Sequence, residues 1–183
     1  TIEKKLYLDG QFYKGHLPSI IFNGNYYPFR ETESLDLVLQ LQRTDLSIIN
    51  NYTKDYIDNL RGLITADIAI TGTTNKPELN GYIQLQKTSF EVNYLKTGFS
   101  TPFCKINVTP DMISFDNVQF FDGTGRNTAI TNGTIFHEWF KNFNFDVGLD
   151  ANDFLAMNTS VNDNNLYYGK AFVSGLVNIG GYG

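Results

Sequence analysis

Residues 35–42 read Leu-Asp-Leu-Val-Leu-Gln-Leu-Gln, and residues 64–71 read Ile-Thr-Ala-Asp-Ile-Ala-Ile-Thr. Successive side chains of a β-strand point to opposite faces, so this alternation gives each segment one apolar face and one largely polar face. Residues 143–150, Phe-Asn-Phe-Asp-Val-Gly-Leu-Asp, repeat the pattern. The three segments predict amphipathic β-strands.

Alternation extends over most of the chain. Aromatic residues make up 15% of the sequence and glycine occurs 16 times, a composition typical of twisted strands joined by tight turns. Further strands are predicted at residues 6–13, 19–27, 81–85, 89–94, 104–108, 112–120, 127–136 and 168–179, which gives about eleven in total. The predicted reversing turns are Asp9-Gly10, Asn23-Gly24, Asn80-Gly81, residues 122–125 and Asn132-Gly133.

Residues 45–60 break the alternation. Apolar side chains recur there at near-helical spacing, at Leu46, Ile49, Tyr52, Tyr56 and Leu60. Asp45 is a suitable N-cap and Gly62 a suitable stop. We expect one short helix, in one or two pieces, that covers part of the sheet or plugs one end.

The strands must bury their apolar faces on each other, because one short helix cannot cover them all. A closed sandwich or barrel would do this, and so would a single sheet folded over on itself around an apolar interior. A glycine-bounded strand at residues 61–72 recurs at residues 168–180, and recurrence of this kind favours an extended β architecture. The 183 residues fit one domain.

Charge and chemistry both argue against an enzyme or a nucleic-acid-binding protein. The formal net charge is −5, so no basic field collects phosphates and we expect no nucleic acid partner. Cys104 is the lone cysteine and cannot form an internal disulfide. His16 and His137, the two histidines, stand in no metal-binding or nucleophile-activating pattern and are expected at the surface or rim. We predict no catalytic residue, no metal site and no cofactor.

Two loops have features of ligand sites but favour simpler interpretations. Residues 122–126, Asp-Gly-Thr-Gly-Arg, resemble a phosphate-binding loop, yet no helical pattern follows, so a hairpin turn is predicted. Residues 158–165 are rich in side-chain oxygens but lack the spaced carboxylates of a calcium site, and a solvated loop is expected.

Residues 60–180 resemble the C-terminal region of the TamB family, the AsmA-like translocation and assembly module proteins of bacterial envelopes. The resemblance lies in the order and spacing of short motifs, at residues 60–72, 76–81, 108–115, 121–125, 131–135, 148–151 and 167–180. It implies a β-taco, a long antiparallel-rich sheet curled into an open trough with an apolar interior.

The resemblance also implies a setting. Residues 1–183 would be a single β-taco-like segment of a longer chain, located in the periplasm of a Gram-negative envelope. That parent chain would be anchored in the inner membrane and would meet an Omp85-type outer-membrane protein. Both partnerships belong to the parent chain.

The sequence and the resemblance together predict a non-enzymatic trough that shields phospholipid acyl chains during transport between membranes. Burial of each methylene gains about 0.8 kcal/mol, so an apolar trough suffices without chemistry. The predicted lining consists of Leu35, Leu37, Leu39, Leu41, Ile64, Ile68, Ile70, Ile83, Leu85, Ile113, Phe115, Phe143, Phe145, Val147, Leu149, Val173 and Val177.

Two other functions fit the same sequence. A chaperone-like groove or sheet edge would hold nascent outer-membrane β-strands beside the Omp85 partner. A carbohydrate-binding β-sandwich would use Tyr26, Tyr27, Tyr167 and Tyr168 as stacking platforms, or a glycosidase would use carboxylates facing each other across a cleft.

Overall fold

The computed structural model describes residues 4–163 and 166–182, in which ten β-strands form one antiparallel sheet. The strands lie in sequence order, so each pairs with its neighbours in the chain. They are β1 (Leu6–Lys14), β2 (Leu17–Tyr26), β3 (Leu35–Asp45), β4 (Ile57–Gly72), β5 (Pro77–Val92), β6 (Thr97–Val108), β7 (Met112–Asp122), β8 (Thr128–Glu138), β9 (Lys141–Thr159) and β10 (Gly169–Tyr182).

The predicted all-β class and open, curled sheet are confirmed. Among the described residues β1 pairs only with β2 and β10 only with β9, so the sheet does not close into a barrel. We call its two faces inner and outer. The inner face carries the buried side chains of Leu37, Ile68 and Val108, and the outer face is the opposite one.

β-Bulges bend the sheet and change which residues face inward. In β7 the register shifts between Phe115 and Val118, with Asn117 at φ +51°, so both flanking residues lie on the inner face. Arg43, Lys87 and Asp153 take similar conformations in β3, β5 and β9. A bulge adds local twist and re-aims the side chains beyond it, so a strand can continue past a break in its alternation.

This explains the strand count. The sequence predicts two strands at residues 81–85 and 89–94, but residues 81–92 belong to the single strand β5, which bends at Lys87 and ends at Val92. The prediction of about eleven strands is therefore one too many for the described residues.

Most of the predicted glycine turns are wrong. Residues 122–125 do lead into the β7–β8 turn, but Gly10, Gly24, Gly81 and Gly133 lie inside strands. A Cβ atom at Gly24 or Gly81 would collide with backbone of the neighbouring strand. These glycines permit close approach of strands in a curled sheet, which is a second use of the residue besides turning the chain.

The helix is present but shorter than expected. A 3₁₀ turn spans Leu46–Ile49 and α1 spans Asn50–Thr53, and the Asp45 carboxylate accepts a hydrogen bond from the Ser47 N–H at 2.9 Å, as an N-cap should. The predicted stop at Gly62 is wrong, because the chain enters β4 at Ile57. A helix this short has little stability of its own, so the ladder with β5 prevails.

At each end of the strands, a contact joins parts of the sheet that are not neighbours in the strand order. At the end that carries the β5–β6 turn, called here the far end, Asn158 donates its N–H to the Leu95 carbonyl at 2.9 Å. At the opposite end, called the mouth, the Lys76 ammonium lies 4.3 Å from the centroid of the Trp139 ring. These contacts fix the curl at both ends.

The curl leaves much of the inner face accessible. The molecule exposes 11923 Å² of surface, whereas a compact protein of 20.7 kDa exposes about 8,900 Å². The excess of about 3,000 Å² agrees with an open sheet that is accessible on both faces. In the described residues no helix is long and apolar enough to cross a membrane.

The close approach at Gly81 can be tested by substitution. Gly81→Ala should lower the free energy of unfolding by about 3 kcal/mol, since φ is +153° and the new Cβ meets the Asp67 carbonyl. Gly98→Ala is the matched control, because its Cβ would lie 3.8 Å from the nearest atom, and it should change the value by less than about 1 kcal/mol. Equal effects in urea unfolding would contradict the role assigned to Gly81.

Candidate functional site: the apolar inner face

The strand register places all of the predicted lining residues on the inner face. In the first half of the sheet Leu39 lies beside Phe22 and Ile68, and Ile68 lies beside Gly81. In the second half Leu149 lies beside Thr131 and Val177. The inner face is therefore one surface that continues from β1 to β10.

These lining residues are mostly half-buried. Leu37 and Ile68 are buried, Phe143 is 39% exposed, and the rest lie between these limits. A closed core would bury nearly all of them. Partial exposure along the whole row means that the inner face still offers apolar surface.

Two clusters of packed side chains hold the inner face in shape. The first surrounds Ala66, Ile68 and Val108 and lies toward the mouth. The second surrounds Ala129, Ala151 and Phe154 in the second half of the sheet. Each cluster packs side chains from several neighbouring strands.

Sequence reasoning missed the aromatic part of the second cluster. Phe99 stacks on Phe154 with ring centroids 5.4 Å apart, and Phe90 meets Phe99 and Phe120 at 6.0 and 6.2 Å. Simple alternation fails here because the bulges at Lys87 and Asn117 shift the inward-facing positions by one residue. The sequence does show a phenylalanine toward the far end of each of β5, β6, β7 and β9, and this recurrence could have indicated the cluster.

The strands β1 and β2 were predicted, but their inner-face side chains were not included in the predicted lining. β1 and β2 contribute inner-face side chains that pair across the ladder, and those of β1 are largely exposed. They are Leu6, Leu8, Phe12, Ile20 and Phe22. The alternation of residues 6–12 was sufficient to find the β1 members.

The outer face is polar over most strands. Gln40 donates its side-chain N–H to the Asp67 carboxylate at 3.1 Å across β3 and β4. Asp146 and Asp150 are exposed there, as predicted for the polar face of β9. An apolar inner face and a polar outer face are what an amphiphile-binding trough in water requires.

Asp122 ties the β7–β8 turn to β9 at the far end. The buried carboxylate accepts hydrogen bonds from the Thr124 hydroxyl at 2.5 Å, the Leu155 N–H at 2.9 Å and the Asn127 amide at 3.2 Å. Burial raises the pKa of Asp122, but these bonds and the one from the Thr124 N–H outweigh it, so the pKa lies below its ordinary value. The loop that resembled a phosphate site is thus a hairpin turn.

The remaining polar candidates lie in three different elements: His16 in the β1–β2 turn, Cys104 in β6 and His137 in β8. His16 is exposed in the β1–β2 turn as expected, but His137 is only 4% exposed, so its prediction as a rim residue is wrong. His137 alternates inward with Ile135, and the Phe140 ring stacks on it at 4.4 Å. Burial raises the pKa of the Cys104 thiol, which makes it a poor nucleophile.

No group of three or more histidine, cysteine or acidic side chains within residues 4–163 and 166–182 is arranged to hold a metal ion. In the oxygen-rich loop, Asp163 accepts hydrogen bonds from the Ser160 hydroxyl and N–H at 2.6 and 2.8 Å. Asn164 and Asn165 of that loop lie outside the described residues.

The four tyrosines proposed as sugar platforms do not form one surface. Tyr26 and Tyr27 lie at the mouth, whereas Tyr167 and Tyr168 precede β10 at the far end. The Tyr27 ring is covered by the Arg30 guanidinium at 3.7 Å, and the Tyr167 ring packs on Tyr94 at 5.2 Å. The open single sheet also differs from the sandwich that this function assumed.

Comparison with known proteins adds no assignment: no family model matches the chain, and no curated protein or solved structure shows significant similarity to it.

Asp122 should make stability depend on pH. Its lowered pKa means that the carboxylate stabilises the fold above the unfolded pKa of about 3.9, and that this stabilisation is lost as pH falls through the lower folded value. Asp122→Asn should lower the free energy of unfolding by about 2 kcal/mol at pH 7, and its difference from the unsubstituted protein should shrink below pH about 4. Asp150→Asn, on the exposed outer face, is the control. A pH-independent difference in urea unfolding would contradict this role.

Proposed function

We propose that the inner face is a non-enzymatic trough that shields phospholipid acyl chains while lipids move between membranes. One observation carries the proposal: apolar side chains continue across the inner face from β1 to β10, and most of them remain partly exposed. Large accessible apolar surfaces on folded proteins mark sites for partners or ligands.

The energetics favour acyl chains as the occupant. Each methylene buried against the trough gains about 0.8 kcal/mol, so one chain of a dozen methylenes gains of order 10 kcal/mol before the cost of ordering it. The open side lets a polar headgroup stay in water. The interaction is non-directional, so a lipid can slide along the inner face without a specific pocket.

The cellular setting is part of the proposal and rests on the TamB resemblance of residues 60–180. In that setting the chain is a periplasmic segment, its parent is anchored in the inner membrane, and an Omp85-type protein receives it at the outer membrane. Lipid transport would then serve biogenesis of the outer membrane.

Two adjacent residues of β3 test the trough. Leu39 faces inward beside Ile68, and Val38 faces outward beside Ala69. Leu39→Asp should reduce co-purified phospholipid at least about fivefold, since a carboxylate in the trough opposes burial of a methylene chain. Native mass spectrometry with lipid extraction measures the lipid, and circular dichroism checks the fold.

Val38→Asp is the matched control, because it adds the same charge to the same strand on the outer face. It should retain as much phospholipid as the unsubstituted protein. Equal retention of phospholipid by both folded variants would refute the acyl-chain trough. So would an unsubstituted protein that never carries lipid.

A second function has its own support in the sheet edges. Within the described residues β1 and β10 each have one free edge, and Leu176 and Phe172 of β10 are 82% and 51% exposed. An edge strand with exposed apolar side chains is a template for adding another strand. We propose the capture of extended outer-membrane β-strands as the alternative function.

Capture at the edge is separable from lipid binding. Leu176→Lys should weaken binding of a labelled ten-residue amphipathic strand peptide at least about fivefold, because charges at an edge oppose strand addition. Ile130→Lys, on the outer face of the interior strand β8, is the control. If fluorescence anisotropy gives the same affinity for both variants, the edge does not capture strands.

A further inference from the structure

The mouth of the trough contains a cavity that the acyl-chain proposal does not use. It has a volume of about 830 Å³ and lies between the β2–β3 loop, the β4–β5 turn and Trp139 of the β8–β9 turn. Small-molecule sites usually occupy about 300–1,000 Å³. Leu35, a lining residue of the inner face, also forms part of its wall, so the apolar trough leads into the cavity.

The cavity wall carries charges of both signs. Arg30 and Lys76 are the cations, and Glu31 and Glu33 of the β2–β3 loop are the carboxylates. Asp36 and Glu78 also border the cavity, but they alternate with inner-face residues and their side chains face outward. Two negative and two positive charges leave no net charge. A purely anionic headgroup finds partners for its phosphate alone, whereas a headgroup with both a phosphate and an ammonium finds partners for each.

Trp139 stands in the cavity wall in a costly conformation. It is the one tryptophan of the chain, and it and Phe140 have φ of +48° and +63°. A two-residue hairpin turn with positive φ at both positions normally contains asparagine and glycine. Bulky side chains held in such a conformation are found where function requires them.

The turn also covers an unsatisfied polar group. His137 Nδ1 accepts the Phe140 N–H at 3.3 Å, which assigns the proton to Nε2, and this buried nitrogen has no hydrogen-bond partner within the described residues. Strain and an unmet donor at the same turn lower the cost of rearranging it. The Trp139 side chain can therefore respond to a ligand.

Lys76 holds Trp139 in place across the mouth. Its ammonium lies 4.3 Å from the ring centroid, within the range of a cation–π contact. A ligand ammonium offers the ring the same interaction and releases Lys76 to pair with a ligand phosphate. The two groups of a zwitterionic headgroup thus match the two partners of this contact.

We propose that the mouth cavity binds the zwitterionic phosphate–ammonium headgroup of a phospholipid whose acyl chains lie on the inner face. This inference rests on the acyl-chain function and adds selectivity to it. Trp139 contacts the ammonium, Lys76 and Arg30 bind the phosphate, and the carboxylates of the wall favour a headgroup that carries an ammonium over one that carries none.

The emission of Trp139 provides a site-specific signal, because tryptophan can be excited selectively and the chain has one. The probes are dihexanoyl phosphatidylethanolamine, dihexanoyl phosphatidylglycerol and free phosphoethanolamine, all below micelle-forming concentrations. The zwitterionic lipid should give a saturable change in emission. The anionic lipid should bind at least about tenfold more weakly, and free phosphoethanolamine should give no saturable change.

Two lysine variants make a matched pair. Lys76→Met keeps the length and apolar stem of the side chain but removes the ammonium. It should weaken binding of the zwitterionic lipid about tenfold. Lys105→Met removes an ammonium that lies 5.7 Å from the Tyr82 ring centroid, on the outer face away from the cavity. The Lys105→Met variant should bind the zwitterionic lipid as tightly as the unsubstituted protein does.

A third variant separates binding from folding. The double substitution Trp139→Asn and Phe140→Gly should relieve the turn and raise the urea midpoint, yet remove headgroup selectivity as measured by calorimetry. A relaxed variant that still prefers the zwitterionic lipid would overturn the role of Trp139.

The outcomes separate the two proposals. Equal affinity for both lipids, or equal effects of the two lysine substitutions, overturns the headgroup site and leaves the acyl-chain trough intact. Saturable binding of free phosphoethanolamine at the affinity of the lipid overturns the requirement for acyl chains. If neither lipid binds and the unsubstituted protein carries no lipid on purification, both proposals are wrong.

Discussion

The antiparallel ladder is the constraint on which the rest of the molecule depends. Every strand pairs with its neighbours in the chain, and a shift of one residue in any pair would turn a whole apolar row toward water. Leu37 and Ile70, or Leu149 and Val177, are paired so that both side chains face inward. The inner face is thus a consequence of register repeated over ten strands.

A flat sheet with this pattern would expose its apolar face fully, so its curvature matters as much as its register. Two devices supply it. Bulges such as those at Lys87 and Asn117 add twist, and glycines such as Gly24 and Gly81 let backbones approach where a side chain would collide. The sheet curls enough to pack two clusters of side chains and stops short of closing.

The two ends of the trough differ in chemistry. The far end is fastened by backbone and carboxylate hydrogen bonds, among them those of Asp122 to the turn and to Leu155. The mouth is bridged by the contact of Lys76 with Trp139, which is a weaker and more exposed interaction. The far end is therefore fastened by more and stronger contacts than the mouth.

The sequence by itself determined the fold class and the identity of most inner-face residues. Strict alternation at residues 35–42, 64–71 and 143–150 decides which side chains share a face, and this is a local property of a strand. The N-cap at Asp45 was likewise predictable, because its partner is two residues away. Tertiary structure decided the rest: only the sheet shows that Gly81 lies inside a strand and that Phe99 faces inward beyond a bulge. It also brings Trp139 to Lys76, residues far apart in sequence that meet because the sheet curls, and curvature summed over many strands is absent from any single segment.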